Sequence, residues 1–327
     1  MTTHIRKAAA LATVIVLAIT LAACGNTSDQ ALRASLHALS AGAAGQSSSS
    51  TTSGPTSCGD VTASLRPAAT LPTPGQMPAG SYMQRILRRG KLIAGVDQNT
   101  LLFAYLNPAT GQIEGFEIDL LRQLAQAIFG NPNALELKAI TTAQRIPLVQ
   151  NGSVDVVADA FTVTCERRTQ VDFSTVYYDA AQRVLVPINS SVHSIADLAH
   201  KRVCATSGST SLARIDQLPY HIVPDPVPQR TDCLVDLQQG TADAITSDDA
   251  ILLGFKMQDP YTRIIGGPPI EAEPYGMAIA KNHPDFVRFV NGVLAQMRAD
   301  GQWAAIYHRW LGRVQATPAP PTAHYLP

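Results

Sequence analysis

The sequence lacks most of the spacings that enzymes and nucleic-acid binders use. It has five cysteines in 327 residues, and no two of them form Cys-x-x-Cys. Zinc ribbons and thioredoxin-type redox centres are therefore excluded. Eight histidines are scattered, with no pair four residues apart to put two ligands on one helix face. No metal site and no cofactor are expected, and no Ser-His-Asp spacing supports hydrolysis. Charged residues make up only 15%, and 25 Lys plus Arg balance 25 Asp plus Glu. Such a chain has no basic surplus with which to hold nucleic acid. The longest apolar run, residues 8–21, is too short and too close to the N-terminus for a good spanning helix.

That run fits an export signal instead. His4, Arg6 and Lys7 precede it, and Leu21-Ala-Ala-Cys24 follows. Leu-Ala-Ala-Cys resembles a bacterial lipobox, which makes residues 1–23 the signal peptide and Cys24 the diacylated mature N-terminus. Loss of Arg6 and Lys7 leaves 25 − 2 = 23 basic residues against 25 acidic ones. Lipid chains, rather than basic charge, then hold the protein at the cell membrane on its extracytoplasmic face. Four cysteines remain: Cys58, Cys165, Cys204 and Cys233. An even number in an exported protein reads as two disulfides, with three possible connectivities.

Residues 24–80 hold a serine run at 47–50 and prolines at 55, 67, 72, 74 and 78. This composition is too poor in apolar groups to offset its ordering entropy, so a flexible tether is expected. Residues 316–327, rich in proline, are expected to be an irregular tail. Between them strands and helices alternate. Residues 91–96, 135–140 and 154–158 read as strands, separated by helices over 83–89, 120–128 and 144–150. The order repeats after residues 183–188, with strands near 203–205, 222–223, 244–246 and 275–280. Helices are read near 194–200, at 232–239, 284–297 and 302–311. Alternation of this kind predicts α/β units around a parallel sheet.

Polar groups gather after the strands, where open sheets bind ligands. Thr162 and Arg167 follow one strand. Ser209 and Thr210 follow another and open a helix, whose N–H groups favour an anion. Asp248 follows a third. A hydroxyl beside a planar fork of donors suits a carboxylate, and Asp248 suits an ammonium. Each loop taken alone is equally compatible with a plain turn or a helix cap.

Seven runs keep a fixed order: Gly90-Lys-Leu-Ile-Ala-Gly-Val-Asp97, Gly115-Phe-Glu-Ile-Asp-Leu120, Thr162-Val-Thr-Cys-Glu-Arg-Arg168, Val171-Asp-Phe-Ser174, Gly208-Ser-Thr210, Ala242-Asp-Ala244 and Tyr275-Gly-Met-Ala-Ile-Ala-Lys281. Through them residues 87–311 resemble the family-3 extracellular solute-binding proteins of polar amino-acid ABC transporters. With the lipobox and tether the chain is similar to the actinobacterial GlnH/GluB-type lipoproteins. The resemblance implies a two-lobed Venus-flytrap fold. Lobe 1 would be residues 81–185 plus 276–315 and lobe 2 residues 186–275, with crossings near 186–187 and 274–275. It implies that Arg167 pairs with the ligand α-carboxylate, helped by Thr162, and that Ser209 and Thr210 hold the same group from lobe 2. Asp248 would take the ammonium, and Asp97 would lie at the ligand edge. Phe103 or Tyr105 would wall the aliphatic stem. Arg145 is the best-placed cation for a second carboxylate, ahead of Lys138 and Arg214, and Arg168 is expected in solvent. Disulfides Cys58–Cys165 and Cys204–Cys233 are expected.

The function implied is capture of glutamate, aspartate, glutamine or asparagine by a monomeric, lipid-anchored protein. Lobe closure would precede delivery to an ABC transporter permease. The alternatives are an amino-acid sensor engaging a membrane receptor and, more remotely, a clamp-fold dehydratase using Asp248 as acid. No enzymatic activity is expected.

Overall fold

The computed structural model describes residues 58–327. The export signal, Cys24 and the first part of the tether lie outside them. Helix α1 (Tyr82–Arg89) opens the body. Ser81 caps it by accepting from the Gln84 N–H, and Gly90 closes it in the left-handed conformation. Strand β1 (Leu92–Val96) follows, then a small antiparallel sheet of β2 (Asn99–Thr100), β3 (Ala104–Asn107) and β4 (Gln112–Glu114). Helix α2 (Phe116–Phe129) buries Leu120, Leu121, Leu124, Ala125 and Ile128, the stripe predicted from their spacing. It starts at Gly115 (φ 145°), where a Cβ would lie 2.2 Å from the Phe103 carbonyl oxygen, so no other residue fits.

After β5 (Leu135–Ala139), α3 (Arg145–Gln150), β6 (Val156–Val157), α4 (Cys165–Gln170) and β7 (Asp172–Phe173), the chain leaves the first lobe. The sheet of that lobe has the order β5-β1-β6-β14-β7, where β14 (Ala278–Ile279) comes from the end of the chain. β1 runs parallel to both β5 and β6. Helices α8 (Pro284–Ala299) and α9 (Gln302–Leu311), also from the end of the chain, pack on α2.

The second lobe begins with β8 (Tyr178–Pro187), the long central strand of its sheet. It continues through β9 (Arg202–Thr206), α5 (Thr210–Ile215), β10 (Val223–Val227), α6 (Arg230–Gln239), β11 (Ala244–Asp248), α7 (Asp249–Gln258), β12 (Thr262–Ile264) and β13 (Glu271–Tyr275). The sheet order is β10-β9-β11-β8-β12, and β13 also pairs with β8. β9 runs parallel to β10 and β11, while β8 is antiparallel to β11, β12 and β13. Cys204–Cys233 ties β9 to α6, and Cys58–Cys165 ties the first described residue to α4. Among the described residues no helix is long and apolar enough to cross a membrane.

Three expectations need correction. The first crossing lies at residues 174–177, between β7 and β8, rather than at 186–187. Periodicity finds the strand but not its sheet, and Tyr178–Pro187 pairs wholly within lobe 2. The return crossing, at Gly276–Met277, is close to the expected place. Residues 58–80 are not a free tether. Ala63, Ser64 and Met77 are buried, and the Ser64 hydroxyl donates to the Phe173 carbonyl at 2.6 Å. Asn291 donates to Ser64 and Leu65, and Ser64 pairs with Tyr325 of the irregular tail. The composition of a segment says what it can bury by itself, not what the body can bury for it. Arg168, expected in solvent, is half-buried and donates to the carbonyls of Asp60 and Val61, pinning that segment.

Candidate functional site

The two sheets present their strand ends to one cleft, and buried polar residues concentrate there. Thr142, Arg145, Ala160 and Thr162 from lobe 1 face Ser209, Thr210, Ser211, Arg230 and Asp248 from lobe 2 around a chamber of about 10 Å³. That volume holds roughly one water. An amino acid enters only if the lobes part and close again.

Two guanidinium groups lie side by side on the lobe 1 wall. Thr164 caps α4 by accepting from the Arg167 N–H at 3.1 Å, which fixes the backbone of Arg167. Its side chain is buried over the Phe161 ring, 4.8 Å from the centroid. It donates to the carbonyls of Thr162 (2.8 Å) and Gly208 (3.2 Å). A guanidinium has five donors, so three remain. Arg145 starts α3 and stacks on the same ring at 4.1 Å. It donates to the carbonyls of Thr142, Asp159, Ala160 and Gly208. Among the described residues neither arginine hydrogen-bonds to a carboxylate. Asp159 Oδ2 stands 3.9 Å from Arg145 Nε. Burial, and then the charge of Arg167, push Arg145 down to about 9. Burial also lowers Arg167, against the pull of Glu273 and Asp248. Arg145 thus keeps only a long ion pair with Asp159, and Arg167 has no carboxylate within 4 Å among the described residues.

Gly208 brings lobe 2 to these arginines. It sits at φ +79°, and a Cβ there would lie 3.1 Å from Ala143 Cα across the cleft. Its carbonyl accepts from both arginines, so it closes the lobes and leaves no room for a side chain.

Asp248 ends β11. Its carboxylate makes no capping bond to α7. Instead it accepts from the Tyr275 hydroxyl at 2.6 Å and, weakly, from the Ser211 hydroxyl at 3.4 Å. Burial raises its pKa, and no cation is within hydrogen-bond distance among the described residues. Asp249 serves as the local cap, accepting from the N–H groups of Ala181 and Ala250.

On the lobe 2 side of the same chamber stands a third arginine, which the sequence analysis does not single out. Arg230 opens α6 in lobe 2 and donates to Asp97 Oδ2 (2.7 Å) and Asp159 Oδ1 (2.6 Å) of lobe 1. It also reaches the Thr100 hydroxyl and the Asp159 carbonyl. Burial opposes its charge, but Asp159 and Asp97 outweigh burial and its pKa rises. Asn99 adds a bond to Gln229 across the same gap, at 3.2 Å. A signal was present: a cation in the first turn of a helix opposes the helix dipole, so it calls for another reason to be there. Glu117 lies behind this cluster, accepting from the Ala160 N–H and the Tyr177 hydroxyl, and burial pushes it up to about 7.

The structure therefore gathers Thr162, Arg145, Ser209, Thr210 and Asp248 around one chamber, while Arg167 does not line it and lies beside it, bonded to the Thr162 and Gly208 carbonyls. The lobe 2 hydroxyls are already engaged: Ser209 caps α5 and Thr210 donates to Glu273 at 2.8 Å. Asp97 is present but tied to Arg230, with Gln98 and Thr100 also donating to it. Phe103 is a correction. It is fully buried, edge-on to Phe116, Tyr178 and Tyr275, and belongs to the core rather than to a ligand wall. Tyr105 donates to Glu114. Lys138 is exposed and bonded to the Ser153 carbonyl, and Arg214 pairs with Glu271.

Comparison with known proteins is consistent with this geometry. The model of the bacterial extracellular solute-binding proteins, family 3, matches residues 92–313. The ABC transporter glutamine-binding protein GlnH of Bacillus subtilis is 35% identical over 222 residues, which span 68% of this chain and 81% of that protein. The L-glutamate/L-aspartate-binding protein of Pseudomonas aeruginosa is 29% identical over 251 residues, spanning 73% and 81%. A solved structure of an ancestral arginine-binding protein bound to glutamine matches with a TM-score of 0.64 at 31% identity. It covers 68% of this chain and 99% of that one.

Proposed function

The chain belongs to family 3 of the bacterial extracellular solute-binding proteins, and we propose that its clamp captures an acidic amino acid, glutamate or aspartate, for delivery to an ABC transporter. The observation that carries the choice of ligand is the charge balance of three arginines in one cleft. Arg230 holds two carboxylates and its pKa rises, whereas Arg145 and Arg167 bond only to carbonyls and their pKa values fall. Asp248 in turn has only hydroxyl partners. Two arginines without a hydrogen-bonded carboxylate and one carboxylate without a hydrogen-bonded cation suit two carboxylates and one ammonium.

In this reading the α-carboxylate goes to Arg167, the side-chain carboxylate to Arg145 and the ammonium to Asp248. Buried charges must each find a partner, so closure over such a ligand satisfies both sides at once. A hydrogen bond to a charged group contributes about 1.5–3 kcal/mol. Three charged ligand groups then reach the roughly 8 kcal/mol of a micromolar complex. Glutamine or asparagine leaves Arg145 without its carboxylate. The ligands named for two relatives, glutamine in one and glutamate or aspartate in the other, support a ligand of this kind. In the same proposal Cys24 carries the lipid anchor, residues 25–57 link it to the docked segment, and a single chain binds the ligand.

A thermal-shift screen of the mature chain against the twenty amino acids tests the reading. Glutamate and aspartate should raise the melting temperature most, and Arg167→Ala should abolish the rise. At a hundredfold excess over Kd the stabilisation is about 2.7 kcal/mol. No response to any amino acid would overturn it.

A further inference from the structure

Glu273 lies on β13, just before the chain returns to lobe 1. It is 1% exposed. Its Oε2 accepts from the Thr210 hydroxyl of lobe 2, and its Oε1 is buried with no partner among the described residues. The Thr162 hydroxyl of lobe 1, Asp248 of β11 and Arg167 of α4 all act on the same carboxyl. Thr162 and Thr210 line both the central chamber and a larger cavity of about 500 Å³ at the cleft mouth, which Glu273 also lines. The remaining charges around that cavity, Arg214 and Glu271, are paired with each other at 3.1 Å. Arg214 therefore does not neutralise Glu273, and Arg167 is committed to the ligand carboxylate.

An α-amino acid carries its ammonium and carboxylate on one carbon. An ammonium beside a carboxylate on Arg167 thus falls next to Thr162, whose carbonyl accepts from Arg167 and whose hydroxyl acts on Glu273. It has three donors. Asp248 and the Thr162 hydroxyl supply two acceptors, and Glu273 Oε1 is the remaining buried acceptor. Resting on the amino-acid ligand proposed above, we infer that Glu273 is the third acceptor of the ligand ammonium.

Two buried carboxyls facing one another do not both ionise without a cation between them. Burial, and then the charge of Asp248, push Glu273 up to about 7. An arriving ammonium favours the ionised form and drives the proton off. The sign follows: binding releases a proton near neutral pH, and affinity weakens as pH falls below 7. Glutamate itself does not titrate between pH 6 and 8.

Calorimetric titration of glutamate into the mature chain at pH 6, 7 and 8 tests this, using two buffers of different ionisation enthalpy. Wild type should release about half a proton per ligand at pH 7 and bind about tenfold more weakly at pH 6 than at pH 8. Glu273→Gln keeps the acceptor for Thr210. It should show neither effect, with affinities at pH 6 and 8 equal within about twofold. Wild type releasing no proton overturns the inference without reference to any variant. Equal proton release by Glu273→Gln also overturns it and points to another group, such as Glu117. Absence of binding by glutamate, aspartate, glutamine and asparagine alike would overturn the ligand reading and this inference together.

Discussion

On one side of the cleft, Arg230 of lobe 2 is clasped by Asp97 and Asp159 of lobe 1. On the other, Arg145 and Arg167 stack on one ring and hydrogen-bond only to carbonyls, while Asp248 hydrogen-bonds only to hydroxyls. Both groups are buried, and both sit at strand ends. They differ in whether a protein counter-charge lies at hydrogen-bond distance, since the carboxylate nearest Arg145 is Asp159 at 3.9 Å. A buried charge with protein partners is architecture, here a latch that holds the lobes together. A buried charge without them is a requirement that something else must meet. The part of the cleft that closes is thereby distinct from the part proposed to recognise the ligand.

The largest effect should come from breaking the latch. Arg230→Met leaves Asp97 and Asp159 buried without their cation and should cost about 3–5 kcal/mol in urea unfolding. Arg167→Met removes a cation that has no carboxylate. It should cost under about 2 kcal/mol without ligand, yet lose the stabilisation that glutamate provides. If Arg167→Met is the more damaging change in the absence of ligand, the distinction between the two sides is wrong.

A smaller effect sharpens the comparison from behind the latch. Glu117 titrates near 4.5 in an unfolded chain and about 7 when folded, because burial opposes its charge. The folded state therefore holds a proton that the unfolded chain gives up. Wild type loses stability through this group as pH rises from 4.5 to 7. Glutamine keeps the acceptor for Ala160 and Tyr177 and does not titrate. Glu117→Gln should gain on wild type between pH 5 and pH 8, by up to roughly 3 kcal/mol. Thermal unfolding at both pH values checks this, and a constant difference would show that Glu117 is not the group concerned.

What the sequence disclosed follows from the range of each physical signal. The α2 stripe and the strands flanking it are local, and spacing predicts them well. Thr162, Arg167 and Asp248 are legible because loops after strands of an open sheet point to one place. The family resemblance then selects among them. Arg145 came from that resemblance, and its proximity to Arg167 only from the fold. For Arg230 only its unfavourable place at a helix start is legible, because its partners lie 133 and 71 residues away in the chain. Phe103 fails for the opposite reason. An aromatic residue near a predicted ligand edge looks the same in sequence whether it faces the cleft or the core, and here three other rings enclose it. Residues 58–80 mislead because their covering groups, among them Asn291 and Tyr325, come from the other end of the chain.

In the proposed complex Arg145 takes the second carboxylate of the ligand. Titration of glutamate and of glutamine into wild type and Arg145→Gln measures it directly. Wild type should bind glutamate ten- to a hundredfold more tightly, the value of about 1.5–3 kcal/mol for a charged hydrogen bond. Arg145→Gln should lose that preference while holding glutamine within about threefold of wild type. A wild type that prefers glutamine, or a variant that keeps the preference for glutamate, would contradict the account.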